Sequence, residues 1–317
     1  MSTPTRITAS SRAGRGRVDA RPRRSSTSDG YWPWLFVTPL LIGVFIFYIY
    51  PIFDNFYISF TKQSAFGTSS KFVGVENYVT LFNKQELWLS VLNTLIYTGV
   101  LLLGVPIATW LAALIARPGL RFAAVYRVAF FMPYLAMPTA IALVWRLIYN
   151  GDFGVLNYIL KSFGITNPPH WTSTPGWAIF AVSIVGLWSS IGFNMIILSA
   201  GLKNISPELY EAAEIDGASP RRQFFSITVP MLTPSIFFLT VIQAINGFQM
   251  FDLLFAMMGL QNPALPSSRT LVYLFYNEGF QLNHKGLAAA IAMIILLIVG
   301  ILTAIQFKAQ KKWVTYA

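Results

Sequence analysis

The amino-acid sequence predicts an all-α, polytopic membrane protein with six transmembrane helices and a cytoplasmic helical loop between the fourth and fifth. Three observations carry that expectation. Hydrophobic residues make up 55% of the chain and charged residues only 11%, where a soluble domain carries about 25% charged. Six apolar stretches are each long enough to cross about 30 Å of hydrocarbon. One densely charged and well-punctuated segment, residues 206–220, interrupts the apolar second half.

Taken in order, residues 1–30 hold seven arginines among many Ser, Thr and Gly. They show no apolar period, which predicts a disordered cytoplasmic arm. A secretory signal is disfavoured, because the apolar run after the arm is too long and no small-residue cleavage site ends it. Residues 31–312 form the membrane domain and 313–317 a short tail. Spans are expected near 33–52, 89–115, 122–148, 177–200, 225–248 and 286–307. With the N-terminus inside, alternation puts Arg117, Arg121, Arg127, Lys203, Arg221, Arg222, Lys308, Lys311 and Lys312 in the cytoplasm. Counting the arm, 16 of the 23 basic residues then lie on that side, as the positive-inside rule requires. Both termini are cytoplasmic, and loops near 53–88, 149–176 and 249–285 lie outside. The net charge of +11 is a membrane-topology signal and no nucleic-acid footprint.

Local chemistry gives the 201–224 loop its shape. Ser206 occupies an N-cap position, Pro207 suits the first helical turn and Glu208 complements the helix dipole. Gly217 reads as the residue just past the helix end, where a left-handed conformation costs little. Ser219 and Pro220 repeat the start signal. The expected result is a helix of about 10 residues, about 15 Å long, a tight turn, and a second helix running back to the membrane. Leu209, Ala212 and Ala213 share one face, flanked by Glu211 and Glu214. Small alanines let another surface approach, and the carboxylates can pair with a basic rim around a socket. An amphipathic helix lying at the headgroups is the other reading, which its acidity opposes.

Catalytic templates find nothing. No GxxxxGK[ST] loop is present, so the chain itself does not hydrolyse ATP. Cysteine is absent, His170 and His284 fall in separate loops, and no paired carboxylates occur in the spans. No metal or cofactor is expected. Arg146 and Asp252 lie at span ends, where both can reach water. Pro106, Pro133, Pro138, Pro230 and Pro234 punctuate the spans; such residues serve packing or line a cavity. Gln243, Asn246 and Gln249 recur every three residues along one stripe of span five. Trp188, Ser189, Ser190 and Asn194 form a polar-aromatic patch on span four. Uncharged amides and hydroxyls beside an aromatic face suit a neutral, polyhydroxylated ligand; interhelical hydrogen bonding is the competing use.

Glu211-Ala212-Ala213, then Gly217, Ile227 and Val229-Pro230 at fixed spacing resemble the EAA motif of ABC importer permeases, with Val229 where leucine is commoner. Tyr50-Pro51, Ser59-Phe60-Thr61, Phe72-Val73-Gly74-Val75-Glu76-Asn77-Tyr78, Asn93-Thr94, Pro133-Tyr134, Gly154-Val155-Leu156-Asn157 and Ala200-Gly201-Leu202 are similar to the carbohydrate-uptake members of that family, of maltose and glycerol-phosphate type. The resemblance implies that the 207–216 helix, with Glu211, Ala212, Ala213, Asp216 and Gly217, docks in a cleft of a separate dimeric ATPase. It implies a second permease subunit, an extracytoplasmic solute-binding protein and a sugar substrate, in a bacterial inner membrane. Trp188, Ser189, Asn194, Gln243, Asn246 and Gln249 are the substrate-path candidates. After Phe251-Asp252 the family runs into a Thr-Gly-Gly-Pro-like turn, where this chain has Met257-Met258-Gly259-Leu260-Gln261-Asn262-Pro263, a loop that the resemblance places toward the binding protein or the outer gate. A glycerol phosphate or polyol permease, a solitary ion-coupled carrier, and a structural membrane scaffold stay open as alternatives.

Overall fold

A computed structural model describes residues 32–63, 70–117 and 119–314; the arginine arm falls outside them. The chain divides into two units, one ending at Pro51 and one beginning at Ile52. In the first unit, α1 (Trp32–Val44) runs into a π-turn over Phe45–Ile49, and helix resumes as α2 (Tyr50–Ser59), most of which belongs to the second unit. A wide turn directly before Pro51 accommodates a ring that would collide with a regular helical turn. The helix therefore reaches Ser59 rather than stopping near 52.

The second unit continues with a small antiparallel ribbon, β1 (Thr61–Gln63) and β2 (Ser70–Phe72). Then come α3 (Glu76–Asn83), α4 (Gln85–Leu102), α5 (Gly104–Ile115), α6 (Ala123–Leu135), α7 (Pro138–Ile148), α8 (Val155–Ser162) and α9 (Trp177–Leu202). Next are α10 (Pro207–Ile215), α11 (Pro220–Gln223), a π-turn at Phe224–Thr228, α12 (Val229–Met231) and α13 (Thr233–Phe248). The chain closes with α14 (Asp252–Met258), α15 (Leu265–Ser268), α16 (Leu271–Tyr276) and α17 (Lys285–Trp313).

Four stretches are long and apolar enough to cross a membrane unbroken: Trp34–Ser59, Gln85–Ile115, Trp177–Leu202 and Lys285–Trp313. Two more qualify as bent pairs, α6 with α7 at 100° and Pro220–Met231 with α13 at 67°. The count is six if each bent pair crosses once. Prolines explain both bends. Met137 takes an extended backbone, ψ 136°, ahead of Pro138, as the residue before a proline prefers. Pro234 sits in the first turn of α13, just past the break at Leu232. The last span outruns the expected 307, because Lys311 and Lys312 fall in the final turn of α17 and complement its dipole.

Helix α9 is the hub, carrying buried residues along its whole length. A Cβ on Gly186 would strike the Tyr97 ring of α4, one on Gly192 the backbone of Phe130 and Phe131 in α6, and one on Gly201 Leu232 and Ser235. Small residues let membrane helices approach closely when no water-driven hydrophobic force holds them together.

At the end away from α10, buried asparagines pin the loops. Asn77 Nδ2 donates to Ser59 O (2.8 Å) and Thr61 O (2.9 Å). Asn93 Nδ2 donates to Ser267 O and Arg269 O, while Thr94 Oγ1 accepts from Leu271 N. Asn157 Nδ2 reaches Gly151 O and Pro169 O, and its Oδ1 accepts from Trp171 Nε1 at 2.6 Å. Buried Glu278 takes Lys84 Nζ at 3.1 Å and His284 Nδ1 at 2.8 Å.

Gly192→Ala should lower stability by about 1–3 kcal/mol, since its neighbour is backbone and cannot turn aside. Gly99→Ala and Gly300→Ala, with nothing within 4 Å of the added carbon, should be neutral. Thermal unfolding of the detergent-solubilised chain, followed by gel filtration, checks the contrast.

Candidate functional site: a polar cavity and an exposed helical loop

Two regions gather the candidate residues. The first is a cavity of about 500 Å³, within the range of small-molecule sites. Helix α4 supplies Tyr97 and Leu101, the α6–α7 elbow supplies Pro133, Tyr134, Ala136 and Pro138, and α9 supplies Gly186, Ser189 and Ser190. Helix α13 and its exit supply Gln243, Asn246, Gln249, Phe251 and Asp252. The break between α6 and α7 thus has a use: its two prolines stand on the cavity wall.

The predicted stripe divides by depth. Gln243 is 2% exposed and donates from Nε2 to Oδ1 of fully buried Asn194, at 2.5 Å. That bond joins α13 to α9, so these two amides serve the helix interface that was the competing use. The Asn194 Nδ2 is buried without an acceptor among the described residues. Asn246 and Gln249, by contrast, are exposed and line the cavity. Ser189 Oγ donates to Val185 O (2.9 Å) and Ser190 Oγ to Leu187 O (2.8 Å). Both hydroxyls therefore offer lone pairs, and not protons, to a ligand. Trp188 does not line the cavity; it is 40% exposed and packs edge-on against Trp145 at 5.4 Å.

Tyr97, Tyr134, Phe251 and Asp252 were missed as cavity residues, because they come from different elements. Asp252 is the one charged residue among those lining it, and Arg146 is not among them. Arg146 instead sits in the last turn of α7, where it complements the helix dipole. The divergent stretch after Asp252 is split: its start is packed, while Leu260, Gln261 and Pro263 are exposed. Met257 and Met258 join the core, and Gly259 turns the chain at φ 67°.

The second region is α10. Its end is a Schellman motif: Ala218 N bonds Ala213 O (2.8 Å), Gly217 N bonds Glu214 O (3.0 Å), and Gly217 stands at φ 72°, the arrangement that satisfies the last carbonyls of a helix. Ser206 holds the N-cap position without a side-chain bond, whereas Ser219 Oγ accepts from Arg222 N. Glu208, Glu211, Ala212 and Ile215 are exposed, Ile215 at 88%. They recur at three- and four-residue spacing and so share a face. Asp216 and Gly217 continue the exposed surface, while Ala213 and Tyr210 are half-buried.

Residues 104–315 match the family model described as "Binding-protein-dependent transport system inner membrane component". The chain belongs to that family. As a permease of this kind it is a multi-pass inner-membrane transport component and not a catalytic subunit, which sets aside the solitary carrier and the scaffold. Among its relatives, the "Probable ABC transporter permease protein YesP" of Bacillus subtilis (strain 168) is 34% identical, over 96% of this chain and 98% of its own. The "sn-glycerol-3-phosphate transport system permease protein UgpA" of Yersinia enterocolitica is 32% identical, over 92% and 98%. A chain of a bacterial alginate ABC transporter, solved in complex with its alginate pentasaccharide-bound periplasmic protein, shares the fold with a TM-score of 0.78 at 20% identity, over 90% of this chain and 96% of that one.

Asn194→Leu or Gln243→Leu alone should cost about 1–3 kcal/mol, because each strands a buried amide. The double variant should cost less than the sum. A double-mutant cycle on the thermal midpoint reads the coupling.

Proposed function

We propose that this permease forms half of a translocation pathway for a neutral sugar or polyol. A second permease subunit would complete the pathway, a pair of ATP-binding subunits would drive it, and an extracytoplasmic binding protein would deliver the ligand. The observation that carries the substrate class is the polar inventory of the cavity. Two open amides, two hydroxyls whose lone pairs are free, and aromatic rings suit a ligand with many O–H groups and apolar C–H faces. A phosphate ester needs cationic or multiple N–H partners, and the charged lining residue here is a carboxylate. The glycerol-phosphate alternative is the weaker one on that ground, although UgpA proteins are among the relatives.

Coupling is assigned to α10. Both termini and the 201–224 loop lie in the cytoplasm on the charge distribution of the sequence, within reach of a nucleotide hydrolase. The exposed face of Glu208, Glu211, Ala212 and Ile215 combines carboxylates with a small and an apolar residue, fitting a socket with a basic rim. ATP-driven closure of the partner would bind one of two permease states more tightly, and the free energy of switching comes from that difference.

Glu211→Lys reverses charge on the docking face, and Gly217→Val forces a β-branched residue into left-handed backbone. Both variants should abolish uptake while the subunit stays in the membrane. A pull-down of the tagged chain from mild detergent, with ATP hydrolysis assayed on the co-purified proteins, is the direct test. Hydrolysis that co-purifies with the unmodified chain and is lost with Glu211→Lys is the expected result. A chain that purifies alone, or uptake at the unmodified rate in both variants, would sink the coupling role.

A further inference from the structure

Helix α10 is joined to the bundle by two short connections, residues 203–206 after α9 and the Gly217 turn before α11. On these alone it is a hinged flap. A push on its exposed face could tilt it about the Gly217 turn and leave the fifth span where it was. One side-chain bond closes that freedom. Tyr210 Oη lies 2.9 Å from Thr228 Oγ1, across 18 residues of sequence, and either hydroxyl can donate. Tyr210 lies about 9 Å along the helix from the turn, at a rise of 1.5 Å per residue. Turn and bond together fix α10 at two separated points, and two points remove the hinge.

The other half of the pair sits in an unusual place. Thr228 is 5% exposed and is the last residue of the π-turn Phe224–Thr228, closed by Val229 N on Phe224 O. One extra residue in a helical turn rotates the succeeding side chains by about 100°, so the π-turn decides which way Thr228 faces. Tyr210, Ile227 and Met231 each pack against a core that includes Leu232. Leu232 is the point where the Pro220–Met231 arm bends 67° into α13, the helix that carries Asn246 and Gln249 to the cavity.

We infer that the Tyr210–Thr228 hydroxyl pair is the positioning contact that makes α10 and the 220–231 arm move as one body, so that displacement of the loop reaches the cavity-lining helix. This rests on the coupling role proposed above. Neither residue stands on the outward docking face, so both act through α10 and not on the partner directly.

The test uses the complex co-purified with the tagged chain, reconstituted with its binding protein. Transport per ATP hydrolysed is compared for Tyr210→Phe, Thr228→Val, the double variant and Thr228→Ser. The ring is kept in the first and the shape in the second, so the ATPase should still co-purify. Transport per ATP should fall about tenfold in each single variant, within the span of measured coupling free energies. The double variant should fall no further, and Thr228→Ser, which keeps a hydroxyl, should behave as the unmodified chain. Reduced yield of complex with an unchanged ratio would mean a merely structural contact and would overturn the inference, as would an unchanged ratio at full yield. Failure of any ATPase to accompany the unmodified chain would remove the coupling reading itself, and this inference with it.

Discussion

Close approach of neighbouring helices to α9 is the constraint on which the rest of the molecule depends. Hydrocarbon gives helices no reason to associate through apolar side chains, so contact area and interhelical hydrogen bonds must do it. Gly186, Gly192 and Gly201 let α4, α6 and the start of α13 come in at successive levels on one helix. The Gln243–Asn194 bond is made where α13 and α9 meet. The cavity is the space left between these helices where bends hold them apart. Larger residues at the glycines would open the crossings and dissolve the cavity walls together.

The second requirement is that bent and broken backbone finds partners. Prolines at the α6–α7 elbow and ahead of α13 interrupt the helical ladder, and lipid supplies no replacement bonds. The breaks are accommodated because both bent segments pack against α9 or line the cavity. Threonines and serines of the spans return their protons to their own helix, as Thr98 Oγ1 does to Thr94 O and Thr109 Oγ1 to Val105 O. The loops away from α10 meet the same demand with asparagine. Asn77, Asn93 and Asn157 each span two carbonyls or two loop segments, which is why short, irregular connections pack as tightly as the helices beneath them.

On the coupling proposed above, the two candidate regions would be the two ends of one mechanical path. The exposed face of α10 would begin it, and the amides of α13 would end it. Between them stand the arm, its π-turn and the elbow at Leu232. The path needs few charges. Under that proposal, binding energy at one end and hydrogen-bond geometry at the other would be linked by helices that keep their shape.

The fold class, the approximate spans and the loop helix with its Gly217 end were legible in the sequence, because each arises from chemistry within a few neighbours. Apolar length sets a span, proline and glycine set ends, and a period of three or four sets a face. The motif residues Asn77, Asn93 and Asn157 could be recognised, but their partners include some 12 and 176 residues away. Only the tertiary structure showed that Gln243 is spent on Asn194 while Asn246 and Gln249 stand exposed on the cavity wall, since an even stripe on one helix carries no record of how deep a neighbour covers it. Tyr97, Tyr134, Phe251 and Asp252 joined the cavity for the same reason: it is made by separate elements whose juxtaposition no local pattern encodes. The sequence by itself determined what each segment is, because secondary structure and membrane insertion are decided by short-range sterics and solvation. The tertiary structure decided which polar groups bond between helices and which stay exposed on the cavity wall, because that depends on how closely the helices cross at the glycines of α9.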